Sequence, residues 1–366
     1  MTHTYFITGF PGFLARRLLN QLITDHKSMI DHIYLLVLPH LEKSATHDIH
    51  QFCKQNHLDE KMVTVVPGDI TKQGLGIDTQ LSDHLAQSVT HVFHLAAIYD
   101  LAVPESVAWE VNVKGTSHMN DWIQQLSKLK RYIYFSTAYV AGKREGRIYE
   151  HELDCGQSFK NHYEQTKYEA EKMVDLLKGV VPTTIIRPGI VKGDAETGQT
   201  IKFDGLYFML NFLDSMRHLP IIPYLGDGEA EGNFVPADYV IKATSYLAIA
   251  SVGEGKTYHL TDPNPYRMHD IYRMLCAFYL GRTPRGKIPL PLAKVGLSAR
   301  FIRKWLKTEQ EALDYFSFQA SFDSSEAVKD LADSGVSCPD LKETLQPMID
   351  FYRCYKDDYT KHIDMT

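Results

Sequence analysis

The sequence predicts an α/β fold built on a doubly wound, mostly parallel sheet, and three observations predict it. Short apolar runs alternate with helix-period segments through the first half of the chain. The runs are continuously apolar, as expected of parallel strands covered on both faces. They lead into glycine, proline and small polar residues, at the strand ends where such sheets bind their ligands.

Residues 5–8 form the first expected strand and end in a glycine turn, after which residues 14–23 show helical spacing. Residues 33–38 and 63–66 are the second and third strands, the latter leading into Pro67-Gly68-Asp69. Residues 89–97 are the fourth, and 104–126 read as one helix or two. Residues 131–137 are the fifth strand and 161–178 a long amphipathic helix. Residues 183–187 are a sixth strand, stopped by Pro188-Gly189. Beyond it the pattern loosens into glycine-rich, acidic loops at 193–205 and 226–232. At 366 residues the chain is long for one core. We expect a first domain over 1–190, with a returning segment at about 230–262, and a mainly substrate-binding, helical region over 191–366.

Composition removes several function classes. Net charge is −6 with no long block of one sign, which argues against a nucleic-acid partner. The five cysteines form no close pair and no C-x-x-C, so neither a disulfide framework nor a metal site is expected. Reduced thiols and the lack of a basic leader suggest a cytoplasmic address. No run of about 18 apolar residues suggests a transmembrane segment.

Thr8-Gly9-Phe10-Pro11-Gly12-Phe13-Leu14-Ala15 joins the first strand to the first helix. Gly9 allows a tight turn, Gly12 lets backbone approach a diphosphate, and Ala15 allows close helix–strand packing. A helix N-terminus there offers N–H groups and a positive dipole end to an anion. This reads as the phosphate cradle of a Rossmann-type, dinucleotide-binding domain.

Tyr163 and Lys167 are four residues apart in the long helix and share one face. A free tyrosine titrates near pH ~10, and a neighbouring ammonium lowers that value. The lysine can also hold a cofactor ribose. A hydroxyl at the end of the fifth strand, Thr137 or Ser136, would bind the substrate oxygen.

On these motifs the chain resembles the extended short-chain dehydrogenase/reductases, over about residues 5–240. The resemblance implies that Asp69, in Gly68-Asp69-Ile70, is the acidic residue on the adenine side. It implies that the backbone of Leu95, Ala96 and Ala97 lines the cofactor, and that Asn112 is the family's helix asparagine. Thr137 becomes the catalytic hydroxyl, with Tyr163 and Lys167 the active pair. Pro188, Gly189 and Ile190, after Arg187, pass near the nicotinamide. Within that family the chain is similar to fatty acyl-CoA reductases and thioester reductase domains. Ser136-Thr137-Ala138-Tyr139-Val140, Gly193-Asp194-Ala195-Glu196-Thr197-Gly198 and Val235-Pro236-Ala237-Asp238-Tyr239-Val240 carry that likeness.

One departure concerns the cofactor. That branch usually has an arginine after the second strand, where this chain reads Val37-Leu38-Pro39-His40. The Asp or Glu of NAD enzymes is missing there as well. Arg16, Arg17, His40 or Lys43 would supply positive charge, and NADP(H) is expected over NAD(H).

Residues 282–307 hold eight lysines and arginines and no acid, interleaved with apolar residues. Such a stretch fits a membrane surface, a CoA or carrier-protein phosphate, or a solvated helix capping the substrate region. Phe203, Tyr207, Phe208, Phe212 and Tyr224 are candidates for an apolar pocket or for plain core. Three readings follow. The first is a reductase of an acyl thioester, on CoA or an acyl-carrier protein, or of the derived aldehyde. The second is a dehydrogenase or epimerase of a hydroxylated lipid, sterol or nucleotide sugar. The third is a non-catalytic NAD(P)-binding regulator, against which the retained Tyr163 and Lys167 argue. A homodimer is compatible with each.

Overall fold

The computed structural model describes residues 2–99, 103–306, 313 and 316–362, with only the backbone of Lys294 and Lys304. Seven strands form the central sheet: β1 His3–Thr8, β2 Ile30–Val37, β3 Val63–Pro67, β4 His91–His94, β5 Arg131–Phe135, β6 Thr183–Pro188 and β7 Thr257–Leu260. Their order is β7-β6-β5-β4-β1-β2-β3 and every pairing is parallel. The order therefore reverses between β1 and β4, which opens a crevice beyond their carboxyl ends.

The helices of this part are α1 Phe13–His26, α2 Glu42–Gln55, α3 Thr79–Ser88, α4 Glu105–Ala108, α5 Gly115–Ile123 and α6 His162–Leu177. They form because apolar residues recur at helical spacing and bury against the sheet. Leu18, Leu22 and Ile49 of α1 and α2 pack on one face with Tyr5, Ile7 and Leu35. Leu85, Met119, Ala170 and Val174 of α3, α5 and α6 pack on the other with Phe6, Leu36 and Tyr132.

Three differences from the sequence expectation have physical causes. The fourth strand stops at His94, because the next backbone N–H groups, of Leu95 and Ala96, turn to the Thr8 hydroxyl. The fifth stops at Phe135, because Thr137 caps a short turn, Ala138–Ala141. Residues 104–126 hold α4 and α5 joined through a π-helical turn, Trp109–Lys114.

Beyond the sheet strands lie α7 Tyr207–Ser215, α8 Ala237–Ile249, α9 Met268–Leu280, α10 Leu290–Ser298, α11 Arg300–Leu306, α12 Ser325–Leu331 and α13 Leu345–Tyr355. α8 returns to the sheet, where Val240 and Leu247 join the core around α1. α7, α9 and α13 build a second core around Leu210, Ile271 and Met348. Two short parallel strands, Ile190–Lys192 and Phe234–Pro236, link the two regions. Among the described residues no helix is long and apolar enough to cross a membrane.

Candidate active site

The cradle follows from two close approaches. Gly9 has φ +87°, and a Cβ there would stand 2.9 Å from the Ala96 nitrogen. The Gly12 N–H donates to Gly9 O at 2.8 Å, and a Cβ on Gly12 would come within 2.6 Å of that same oxygen. Both glycines are thus required by the turn itself. Gly12 caps α1 with no side-chain partner, and no acid sits in the helix's first turn. The N-terminal N–H groups and dipole stay available to an anion.

Thr8 braces this turn from behind. Its Oγ1 accepts from Leu95 N at 3.2 Å and Ala96 N at 3.0 Å, and lies 2.8 Å from His94 Nδ1. Burial lowers His94 to about 3, so the ring is neutral. With two N–H groups already on its oxygen, Thr8 donates to Nδ1, and Nε2–H faces Thr116 Oγ1 at 3.3 Å. Thr8 does not line the cavity; it fixes the walls that do.

A cavity of about 1150 Å³ starts at the cradle. Gly9, Phe10, Pro11, Gly12, Phe13, Leu14, Leu38, Asp69, Ile70, Leu95, Ala96, Ala97, Pro188, Gly189 and Ile190 all line it, as do Ser136, Thr137, Tyr163 and Lys167. Seven stretches scattered through the sequence are brought together because each follows a strand or opens a helix at one end of the sheet. Asp69 spends one carboxylate oxygen on Thr71, accepting from its N–H at 2.9 Å and its hydroxyl at 2.8 Å.

The polar groups stand at the end of β5 and on one face of α6. Asn161 begins that helix by accepting from Glu164 N at 2.9 Å. Tyr163, Lys167 and Glu171 then succeed one another at intervals of one turn. The Tyr163 side chain is hydrogen-bonded to Thr137 and meets the Tyr99 ring edge-on at 5.1 Å. Burial pushes its phenol above the ordinary tyrosine value, and the Thr137 bond opposes that rise. Lys167 Nζ donates to Tyr134 Oη at 3.0 Å and Phe135 O at 2.5 Å. Burial brings its ammonium down to about 7, against the pull of Glu171.

Two expected site residues serve other partners. Ser136 donates its hydroxyl to Glu171, which is buried against Arg187. Asn112 lies in the π-helical turn and does not line the cavity. Its Oδ1 accepts from Ile98 N at 2.9 Å, and its Nδ2 donates to Thr166 Oγ1 at 3.1 Å. It ties the loop after β4 to α6. Sequence reasoning assigned no role to Glu171, Tyr134 or Tyr99. Of these, Glu171 alone had a signal, its spacing from Tyr163 and Lys167.

Beyond Tyr163 the wall turns apolar, with Phe208, Met209, Phe212, Met216 and Met268 followed by side chains of α10 and α11. Thr200, Lys202 and Asp204 add polar groups from the loop before α7. Burial raises Asp204 to about 6, with Lys202 opposing. Of the five aromatic candidates, Phe208 and Phe212 face the cavity. The other three are structural. Phe203 packs edge-on against Tyr352, Tyr207 donates to Gly198 O, and Tyr224 stacks on His269.

The family profile described as Male sterility protein, an NAD-binding domain, matches residues 7–244, more than half of the chain. The chain belongs to the male sterility protein family. This places it among the extended short-chain dehydrogenase/reductases. It is 27% identical over 291 residues to the non-canonical nonribosomal peptide synthetase cpsA of Aspergillus campestris, covering 74% of this chain and 27% of that protein. It is 23% identical over 355 residues to the alcohol-forming fatty acyl-CoA reductase of Simmondsia chinensis, covering 75% of this chain and 70% of that one. The chain thus spans about a quarter of the synthetase. In fold it is similar to the terminal R domain of the myxalamid PKS-NRPS pathway, with TM-score 0.81 and 24% identity over 99% of this chain and 93% of that one. It is also similar to the NAD complex of UDP-glucuronic acid 4-epimerase from Bacillus cereus, with TM-score 0.64 and 19% identity over 97% and 99%.

In this family member the end of the crevice beside β2 differs from expectation. Arg16 forms an ion pair with Asp48 of α2, donates to Pro11 O at 2.8 Å and lies over the Phe10 ring. Arg17 pairs with Asp194 at 2.8 Å and lies over Phe13. Neither arginine is the uncommitted cation that the sequence suggested, because acids from α2 and from the 193–198 loop meet them.

The basic stretch forms the cap of the cavity. Arg282 donates to the carbonyls of Arg217, Leu219 and Pro220, and Lys287 pairs with Asp227. Arg303 bonds the carbonyls of Leu297 and Ser298. Lys307 lies outside the described residues.

Proposed function

We propose that the protein is an NAD(P)H-dependent reductase of an acyl thioester, or of the aldehyde derived from it. The observation that carries this reading is the single cavity. It begins at an uncapped helix N-terminus, passes Thr137, Tyr163 and Lys167, and ends among apolar side chains. The cradle fits a dinucleotide, since added side chains at Gly9 or Gly12 would collide with backbone and the space before α1 is kept for an anion. Apolar walls favour an acyl chain over a nucleotide sugar, whose phosphates and hydroxyls need polar partners.

When bound, a reduced nicotinamide supplies the hydride for the substrate carbonyl carbon. Gly9, Gly12 and the first turn of α1 would hold the diphosphate. Leu95, Ala96, Ala97, Pro188, Gly189 and Ile190 would line the rings. Thr137 holds the carbonyl oxygen by a hydrogen bond. Tyr163, kept protonated at neutral pH by burial, gives its proton to that oxygen as negative charge develops. Lys167, held at Tyr134 Oη and Phe135 O, stabilises the phenolate left behind. For a thioester, collapse of the resulting hemithioacetal releases a thiol and leaves an aldehyde, which a second hydride and proton convert to an alcohol. Ser136 and Asn112 act as positioning residues.

The likeness to reductases supports this reading. NADP(H) is the proposed cofactor, with its phosphate assigned to His40 and Lys43, which follow β2 in the chain. The test incubates purified protein with NADPH or NADH and acyl-CoAs, long-chain aldehydes, hydroxysteroids and nucleotide sugars. Aldehyde or alcohol formed from an acyl thioester or aldehyde supports the proposal. Turnover confined to steroids or sugars contradicts it.

A further inference from the structure

The cap helices show apolar side chains to both the cavity and the outside. Leu297 and Ile302 line the cavity. Val295 and Phe301 stand on the outer side, 69% and 75% exposed. Leu292 and Trp305 belong to both, lining the cavity while remaining 63% and 54% exposed. Apolar interior and apolar exterior therefore meet at these two residues. In sequence, residues 282–307 carry eight cations and no acid, in a chain whose net charge is −6; among the described side chains, Arg285 and Arg300 are exposed, and Arg300 directly precedes the exposed Phe301. Exposed arginine therefore stands in the same segment as exposed large apolar side chains.

We propose that α10 and α11 seat the protein on an anionic lipid surface, with the cavity opening toward the lipid between Leu292 and Trp305. Exposed Phe and Trp side chains enter the headgroup boundary, while neighbouring Lys and Arg meet lipid phosphates and carboxylates. The apolar lip favours this occupant over an acidic carrier protein. A carrier's pantetheine arm has amides that need polar partners, and here the polar lining groups, Thr200, Lys202 and Asp204, come from another loop. Entry of an acyl chain by this route rests on the reductase reading; the seating does not.

Vesicle flotation tests the seating without any turnover. Wild-type protein is mixed with phosphatidylcholine vesicles, or with vesicles that also contain phosphatidylserine, at low and high salt. We expect it to float with the anionic vesicles and to bind at least tenfold more weakly to phosphatidylcholine alone. Raised salt weakens the anionic binding. The double variant Val295→Ser/Phe301→Ser loses at least tenfold in binding, and Arg300→Glu loses affinity for anionic vesicles only. Both keep the wild-type melting temperature, cofactor affinity and turnover of a short soluble substrate, since these side chains do not line the cavity. Wild-type protein that does not float, or a double variant that floats equally, overturns the proposal. So does capture of an acidic acyl-carrier protein by the same residues in place of vesicles. Vesicle binding without reductase turnover would instead count against the reading in the preceding subsection alone.

Discussion

Glu171 of α6 accepts two hydrogen bonds on one carboxylate oxygen from Arg187 at the end of β6, from Nε at 2.8 Å and Nη2 at 2.6 Å. Both side chains are almost fully buried, and Ser136 donates to the other oxygen. Arg187 goes on to Glu150 O at 3.2 Å and His259 Nε2 at 3.2 Å, where burial keeps the imidazole neutral. The pair locks the helix that carries Tyr163 and Lys167 to the strand that leads into Pro188, Gly189 and Ile190.

Glu171→Ala leaves the Arg187 guanidinium buried without its counter-charge, and should cost about 3–5 kcal/mol of stability. The double variant Glu171→Leu/Arg187→Met removes both charges and should be more stable than the single one. Urea titration of the three proteins checks this. A double variant no more stable than Glu171→Ala contradicts the pairing.

Thr8→Val keeps the shape but takes the acceptor away from two backbone N–H groups. We expect a loss of about 1–3 kcal/mol and weaker cofactor binding, because the 95–97 wall loosens. Thermal denaturation and cofactor titration read the two effects.

Much of this was legible in sequence. The continuous apolar runs mark six of the seven sheet strands, since parallel strands buried on both faces admit little else. β7 was not singled out as a strand, because Thr257–Leu260 is short and follows a long excursion through the substrate region. The cradle and the Tyr163/Lys167 spacing are local patterns and stand out for that reason. The commitments of Ser136 to Glu171, Asn112 to Ile98 and Arg17 to Asp194 join segments 14 to 177 residues apart, and no local pattern records them. The apolar wall was equally hidden, since a cavity-lining Phe212 and a core Phe203 share the same spacing and composition.

The cofactor's phosphate end gives a third prediction. Leu38 offers neither carboxylate nor guanidinium, so discrimination should be modest. We expect NADPH to bind more tightly than NADH by roughly 1–2 kcal/mol, about five- to thirtyfold. The double variant His40→Ala/Lys43→Ala should remove most of that preference. Arg16→Ala and Arg17→Ala should each leave it, because Asp48 and Asp194 hold their guanidinium groups. Added salt should shrink it. Tighter NADH binding by the wild type contradicts the assignment.

Lys167 sets a pH dependence. A lysine is charged below its pKa, so lowering that value to about 7 moves the loss of charge from alkaline to neutral pH. Tyr163 is shifted the other way and stays protonated across this range. Measured as kcat/KM for the cofactor, reduction should therefore fall about tenfold per unit above pH ~7. In Lys167→Met the residual rate should be low and flat. A wild-type profile flat from pH 6 to 9 would count against an ammonium role.

The most direct measurement is turnover and cofactor binding in Tyr163→Phe. Only the phenolic hydroxyl is removed, so the Tyr99 contact and the packing of α6 remain. The proposed proton donor is lost while the cradle 9–15 is untouched. We predict a fall in kcat of about a hundredfold or more, with cofactor affinity within about twofold of wild type by calorimetry. Near-wild-type kcat on an active thioester or aldehyde would contradict the account.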